Sequence, residues 1–420
     1  MNLKPSIIKG LLLSCLVSLQ FLGHALAANT PDQRIVMGYY TNWGTYKGFP
    51  VGNPQLNEQA KNLNVLAYAF FEVDSNGTLY FSDPWSDLKA SDAGFCAKNP
   101  AICNNTKGTE GLGNFTKLTR ENIYPNTKIV ISVGGAGHDE TFRSAFRNIP
   151  NFIASLGAII NEYKIAGIDL DFEPSAWSAS DANNYVKLAE EIRKNFPTIL
   201  ITAAVTANPD VIKQFQASNW QSFAKSVNYI GVMAYDFHGG FDGLGNRTGF
   251  HSNLYSDDSD PYQNHFSGDA AVKTYIEMGV PANKLLLGVP AYGRMYGEVV
   301  DGGKHGLYQN IGALYSKGDL DKDMESYRSI IGTKLGKGYV DYWYSNTSGA
   351  YSTKLNGVFA YNANERVFIS FDNTALIDEK AKYVKENKLG GMMMWELRAD
   401  ITPSDPNNAS LLKHMFDGVK

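Results

Sequence analysis

Cysteine is nearly absent from this sequence: there are three in 420 residues, and one of them, Cys15, lies in an apolar N-terminal stretch. That excludes a fold held together by many disulfides. It leaves Cys96 and Cys103, an even pair within a loop, to form one small structural disulfide, with two free buried thiols as the alternative. Excess charge is also missing. The net charge is −4 and there is no Lys/Arg run, so nothing marks a nucleic-acid footprint. The seven histidines are scattered, with no HExxH and no Cys/His pairing, so no metal and no cofactor are expected. No glycine-rich dinucleotide fingerprint follows the first apolar run, and no internal repeat or Pro/Ser-rich linker announces an appended module. Beyond residue 27, no segment is apolar and long enough to span a bilayer.

The first 27 residues form a class of their own. Lys4 and Lys9 precede the apolar run Gly10 to Leu22, and Ala25–Leu26–Ala27 closes it. This is the charged, apolar and small-residue order of a secretory leader. "LLSC" at Cys15 faintly resembles a lipoprotein box, but the better cleavage site lies downstream. The expectation is an exported soluble monomer, extracellular or periplasmic, with no membrane association after cleavage. NxS/T sequons occur at Asn76, Asn104, Asn114, Asn246, Asn346 and Asn408, and matter only where the host glycosylates.

What the chain does have is length for a large core and 44% hydrophobic residues. Eight short apolar runs recur: Arg34–Tyr40, Asn64–Phe71, Lys128–Val133, Gly167–Phe172, Ile199–Val205, Asn228–Tyr235, Lys284–Ala291 and Gly391–Trp395. Near-continuous apolar character predicts parallel strands buried on both faces. Segments such as "FIASLGAIINEYK" and "ANNYVKLAEEIRKNF" lie between them, with apolar residues at helical spacing. Eight strands with crossovers fit an α/β fold, a (β/α)8 TIM barrel, better than an open doubly wound sheet. A large gap separates the seventh and eighth strands. Its "GVFAYNANERVFISF" reads as a hairpin, predicting a small α+β insertion over about 295–370. The barrel would then comprise 28–294 and 371–420, with "TALIDEKAKYVKENKLGG" as the returning helix and Gly390 ending it.

The fourth run carries "GIDLDFE". Strand periodicity places Asp169, Asp171 and Glu173 on one face and Ile168, Leu170 and Phe172 on the other. Three carboxylates pointing to a barrel axis cost free energy unless protons, partners or substrate compensate, and no Lys or Arg shares the strand. Glu173 stands at the C-terminal end, where barrel active sites sit. An ionised Asp171 would raise the Glu173 pKa and keep it protonated as a general acid, which glycoside cleavage requires. A metal held by the three carboxylates is the rival reading.

"GIDLDFE" resembles the DxxDxDxE signature of glycoside hydrolase family 18, the chitinase family. The resemblance continues through "SVGG" (Ser132–Gly135), "MAYD" (Met233–Asp236), "GVPAYGR" (Gly288–Arg294) and "GGMMMWE" (Gly390–Glu396), in the family's order. It implies that Glu173 protonates the glycosidic oxygen and that Asp171 orients the substrate's 2-acetamido group, whose oxygen attacks C1. It implies further that Asp169 tunes Asp171, that Tyr235 hydrogen-bonds the acetamido oxygen, and that configuration is retained. Trp395 would floor the sugar pocket. Tyr39, Phe70, Gly135 and Met233 would line it, and Asp236, Tyr292 and Arg294 would bond sugar hydroxyls. Trp43 and Trp177 would add subsites, while Trp85 and Trp220 read as packing and Trp343 falls in the insertion. The expected partner is chitin or a chito-oligosaccharide, cut preferably within the chain.

Three positions depart from the family pattern. Ala166 replaces the first Asp of the signature, Ala136 follows "SVGG" where Trp is common, and Pro174 follows the acid where Tyr or Phe is frequent. Two alternatives accompany the chitinase reading. One is an endo-β-N-acetylglucosaminidase acting on another GlcNAc-containing glycan. The other is a non-catalytic chitin-binding lectin, which the presence of both Glu173 and Asp171 disfavours.

Overall fold

In a computed structural model of the chain, residues 34–104, 111–261, 266–345 and 353–420 are described. The leader expected at 1–27, Cys15 and the sequon at Asn346 lie outside them. Eight parallel strands form the frame: β1 (Ile35–Thr41), β2 (Val65–Val73), β3 (Lys128–Gly134), β4 (Gly167–Asp171), β5 (Leu200–Thr206), β6 (Tyr229–Met233), β7 (Leu285–Pro290) and β8 (Gly391–Trp395). Each pairs with its sequence neighbour. β1 also pairs with β8, Ile35 opposite Gly391, and this closes the barrel.

Two layers of packing follow from the strand pleat. Ile168 and Leu170 are fully buried outward among the helices with Phe172. Inward, Met37, Val65, Ala67, Val130, Leu286 and Met393 fill the barrel beneath the carboxylates. The covering helices begin on side-chain caps that satisfy otherwise unpaired N–H groups. Ser178 accepts from the Asp181 N–H ahead of Ala179–Asn195, and Asn373 accepts from the Leu376 N–H ahead of Thr374–Glu386. The latter helix stops at Glu386 rather than running to Gly390. Gly390 instead leads into β8, where a Cβ would meet the Asn283 carbonyl at 2.4 Å.

A second, antiparallel sheet occupies the gap between β7 and β8. Its order is Ala313–Leu314, Tyr292–Gly297, Val367–Phe371, Leu355–Asn362, Val340–Ser345, with Met324–Ser326 also on Tyr292–Gly297. The "NANE" turn joins the two strands of the expected hairpin. This sheet opens at Tyr292, so the "AYGR" stretch belongs to it and not to the seventh barrel strand. Only Ala291 separates it from β7. The Ala291 N–H donates to the Trp395 carbonyl at 2.7 Å, and its own carbonyl accepts from the Tyr327 N–H at 2.9 Å.

Cys96 and Cys103 form a disulfide in the segment after β2. Among the described residues no helix is long and apolar enough to cross a membrane.

Candidate active site

The strand register assembles the base of the site. Ser132 on β3 and Thr202 on β5 stand directly opposite Asp169 on β4. All three side chains point inward. Ser132 Oγ and the Tyr39 hydroxyl donate to Asp169 Oδ2 at 2.7 and 2.9 Å, and Thr202 Oγ1 donates to Oδ1 at 2.6 Å. Burial raises the Asp169 pKa, and the three hydroxyls oppose that rise by solvating the anion. Tyr39 is 1% exposed, so its hydroxyl serves Asp169 and its ring lies against Trp395 at 5.3 Å.

Asp171 is treated differently. Its Oδ1 is buried with no hydrogen-bond partner. Burial, and then the charges of Glu173 and Asp169, push its pKa well above the ordinary carboxylate value. A buried acceptor without a donor is costly and marks a place where a ligand N–H could bind.

Glu173 follows the strand end and lines two adjoining cavities, each of about 260 Å³. Its pKa is pushed up to about 7, first by burial and then by the charges of Asp139 and Asp236. The expected lift from Asp171 is therefore not the leading cause: loss of water dominates, and the neighbouring charge in the ladder is felt chiefly at Asp171. Asp139 opens the helix Asp139–Arg147 and went unnoticed in the sequence, where nothing ties it to the ladder.

Asp236 follows Tyr235 beyond the end of β6 and takes a left-handed backbone, φ 58°. Tyr235 lines the cavity beside Glu173 and packs edge-on to Tyr292. Met233 lines both cavities. Asp236 accepts from Arg294 Nε and Nη2 at 2.9 and 2.7 Å and from the Tyr292 hydroxyl at 2.7 Å, with His251 Nδ1 at 3.7 Å. Burial alone would raise the Asp236 pKa, but His251 and the Arg294 guanidinium hold it well below the usual carboxylate range. The two residues expected to bond sugar hydroxyls, Tyr292 and Arg294, thus spend their polar groups largely on Asp236. Phe241, another residue the sequence did not flag, lays an exposed ring 5.5 Å from the Arg294 guanidinium.

An aromatic group covers the barrel mouth. Trp395 stacks on Phe70 at 5.7 Å and 19°, and Trp43, 40% exposed, touches both. Gly135 makes room for it: at φ 96° its absent Cβ would meet the Phe70 ring at 2.8 Å. The Ala69–Phe70 and Trp395–Glu396 peptide bonds are cis.

Trp177 does not join this group. It packs on Phe215 at 4.5 Å and on Phe172 and Tyr185, and lines the cavity on the far side of Glu173. Trp85 is not core: it is half exposed and stacked on the exposed Tyr46. Trp220 is fully buried, as packing requires. Ala136 is exposed beside Gly135. Ala166 lies at the opposite, lower end of the barrel, where its N–H and carbonyl join β3 and β5. Among the described residues no group of three or more His, Cys, Asp or Glu side chains is arranged to hold a metal ion.

Residues 35–400 match the family model "Glycosyl hydrolases family 18". Chitinase 1 of Aphanocladium album is 29% identical over 385 residues, covering 87% of this chain and 82% of its own length. Chitinase A1 of Niallia circulans is 27% identical over 450 residues, covering 93% and 60%. Among solved structures, catalytic domain 2 of the Ostrinia furnacalis Group II chitinase, an E2180L mutant bound to a GlcNAc oligomer, superposes with a TM-score of 0.73 at 25% identity, over 91% of this chain and 95% of that one.

Proposed function

The chain belongs to glycosyl hydrolases family 18, and from that premise we propose that it is a chitinase cutting β-1,4 links between GlcNAc units with retention of configuration. The observation that carries the reading is the contrast along one strand. Asp169 has every donor it needs, Asp171 keeps a buried oxygen without one, and Glu173 is an acid titrating near neutrality.

In this reading a GlcNAc ring lies on Trp395, and its acetamido N–H donates to the free oxygen of Asp171. The Tyr235 hydroxyl donates to the acetamido oxygen and aligns it with C1. Protonated Glu173 gives its proton to the glycosidic oxygen as the C1–O bond breaks. The acetamido oxygen forms the new bond to C1, making an oxazolinium ion. This route departs from the two-carboxylate scheme because the nucleophile belongs to the substrate. Carboxylate Glu173 then takes a proton from water, which opens the ring and restores both the acetamide and the acid. Exposed aromatic rings extend the site from Trp395 through Trp43 and from Arg294 through Phe241, which suits a chain running through the cleft and endo cleavage. Export and a monomeric state complete the proposal.

The test is hydrolysis of the GlcNAc hexamer, followed by mass and by proton NMR of the new anomeric centres, beside Glu173→Gln. Initial β-anomer products that vanish in the variant are expected. Initial α-anomers, or undiminished turnover in Glu173→Gln, would refute the mechanism. Saturable binding without cleavage would favour a lectin, and neither would point to another GlcNAc-containing glycan.

A further inference from the structure

The far edge of the insertion sheet carries a second concave surface that the chemistry above does not use. Among the described residues, Val340–Ser345 pairs only with Leu355–Asn362 and is an edge strand. It stands three strands from Tyr292–Gly297, which supplies Tyr292 and Arg294; at ordinary strand spacing that is about 14 Å. A cavity of about 340 Å³ opens at this edge, lined mainly by Tyr308, Tyr342, Trp343, Tyr344 and Phe359, with Lys304 at its side. It shares no lining residue with the two cavities at Glu173.

Its rings are held in place. Tyr342 stacks on His305 at 4.1 Å and 11° and on Phe359 at 5.2 Å and 23°. Tyr344 leans on Phe250 at 5.3 Å. Trp343 is 58% exposed, yet its indole N–H is fixed to Asp341 Oδ2 at 2.9 Å. An oriented indole presenting its face to water carries an apolar cost that a ligand would remove.

The surroundings identify the ligand. Lys304 lines the cavity, and Asp257 nearby accepts from the Tyr308 hydroxyl, so both signs of charge stand among the aromatic rings. A wholly apolar partner would bury the Lys304 ammonium without a hydrogen bond, at a cost. A sugar matches both: its C–H face stacks on an indole or phenol while its hydroxyls and amide bond the polar rim.

We propose that this groove is a second glycan-binding site, taking a stretch of GlcNAc polymer outside the catalytic cleft. The choice of GlcNAc rests on the chitinase reading; the site itself rests on the geometry of the groove. Its role is to keep the enzyme on an insoluble chain while the cleft works elsewhere along it.

The experiment uses Glu173→Gln protein with 15N-labelled tryptophan, titrated with GlcNAc hexamer to millimolar concentration. The Trp343 indole signal, assigned by Trp343→Phe, should shift with its own saturation curve. In the otherwise intact enzyme, Trp343→Ala should weaken retention on insoluble chitin about fivefold or more while soluble hexamer turnover stays within about twofold. An unmoved Trp343 signal, or unchanged retention, overturns the site. Hexamer cleavage by the intact enzyme with an unmoved Trp343 signal discards the groove and leaves the activity standing. A moved signal without cleavage supports the groove and discards the activity. A signal that follows protein concentration instead of hexamer makes the surface an interface between copies and also overturns the proposal.

Discussion

Arg294 grips Asp236 through both carboxylate oxygens, Nε to Oδ1 at 2.9 Å and Nη2 to Oδ2 at 2.7 Å. The bidentate fork keeps Asp236 ionised at working pH, and that fixed charge is one of the two that raise the Glu173 pKa beyond the effect of burial. Asp236→Asn removes the charge but keeps the shape. The alkaline limb of the kcat/KM profile should move to lower pH by about half a unit to one unit. An unmoved limb would mean that Asp236 does not act on Glu173 electrostatically.

The Glu173 pKa of about 7 makes two claims about pH. If Glu173 is the acid, kcat/KM should decline as pH rises through about 7, because the proton to be donated is lost. Stability carries the same sign. The folded pKa lies above the unfolded value, so the folded chain holds this proton more tightly, and that contribution disappears as pH rises from about 4.5 to about 7. Glu173→Gln cannot ionise. It should match the wild type in urea unfolding at pH 4 and exceed it by about 1–3 kcal/mol at pH 8. Equal stability at both pH values would place the ionisation elsewhere.

Thr202 is the sole hydrogen-bond donor to Asp169 Oδ1 among the described residues. Thr202→Val keeps the volume and deletes the hydroxyl, leaving a buried carboxylate oxygen unpaired. Unfolding at pH 7 should be easier by about 1–3 kcal/mol, and the penalty should shrink in acid as Asp169 protonates. A penalty that is constant with pH would show that packing, and not the hydrogen bond, is what Thr202 contributes.

Ala136 offers a gain of function. It is exposed beside Gly135, next to the aromatic group at the barrel mouth. Ala136→Trp should add one stacking surface and tighten binding of the GlcNAc hexamer to Glu173→Gln protein by about two- to tenfold, with little change for the dimer. Calorimetry showing no preference for the longer chain would remove Ala136 from the cleft.

Much of this was legible in the sequence because it depends on short-range rules. Strands covered on both faces must be apolar throughout, so the eight barrel runs stand out, with ends misjudged by only a residue or two; Asn228–Tyr235, for instance, ends as a strand at Met233. Period-two alternation put Asp169, Asp171 and Glu173 on one face. What stayed hidden depends on register and on loops. The partners of Asp169 come from positions 39, 132 and 202 and meet only when the barrel closes. A hydroxyl at the matching inward position of each neighbouring strand was the available signal, but its meaning requires the register. Asp139 acts on Glu173 through its charge from the start of a different helix, and no local pattern encodes that. Trp85, read as packing, lies half exposed on Tyr46, because a lone tryptophan carries no direction without its neighbours.

The single residue between β7 and the insertion, Ala291, is hydrogen-bonded to the floor strand on one side and to Tyr327 on the other. A joint so short and so fully bonded leaves no hinge. The second sheet is built as a direct continuation of β7. In the reading proposed above, a glycan would therefore thread into a fixed cleft, and a bulkier one would be admitted only by changing side chains along it.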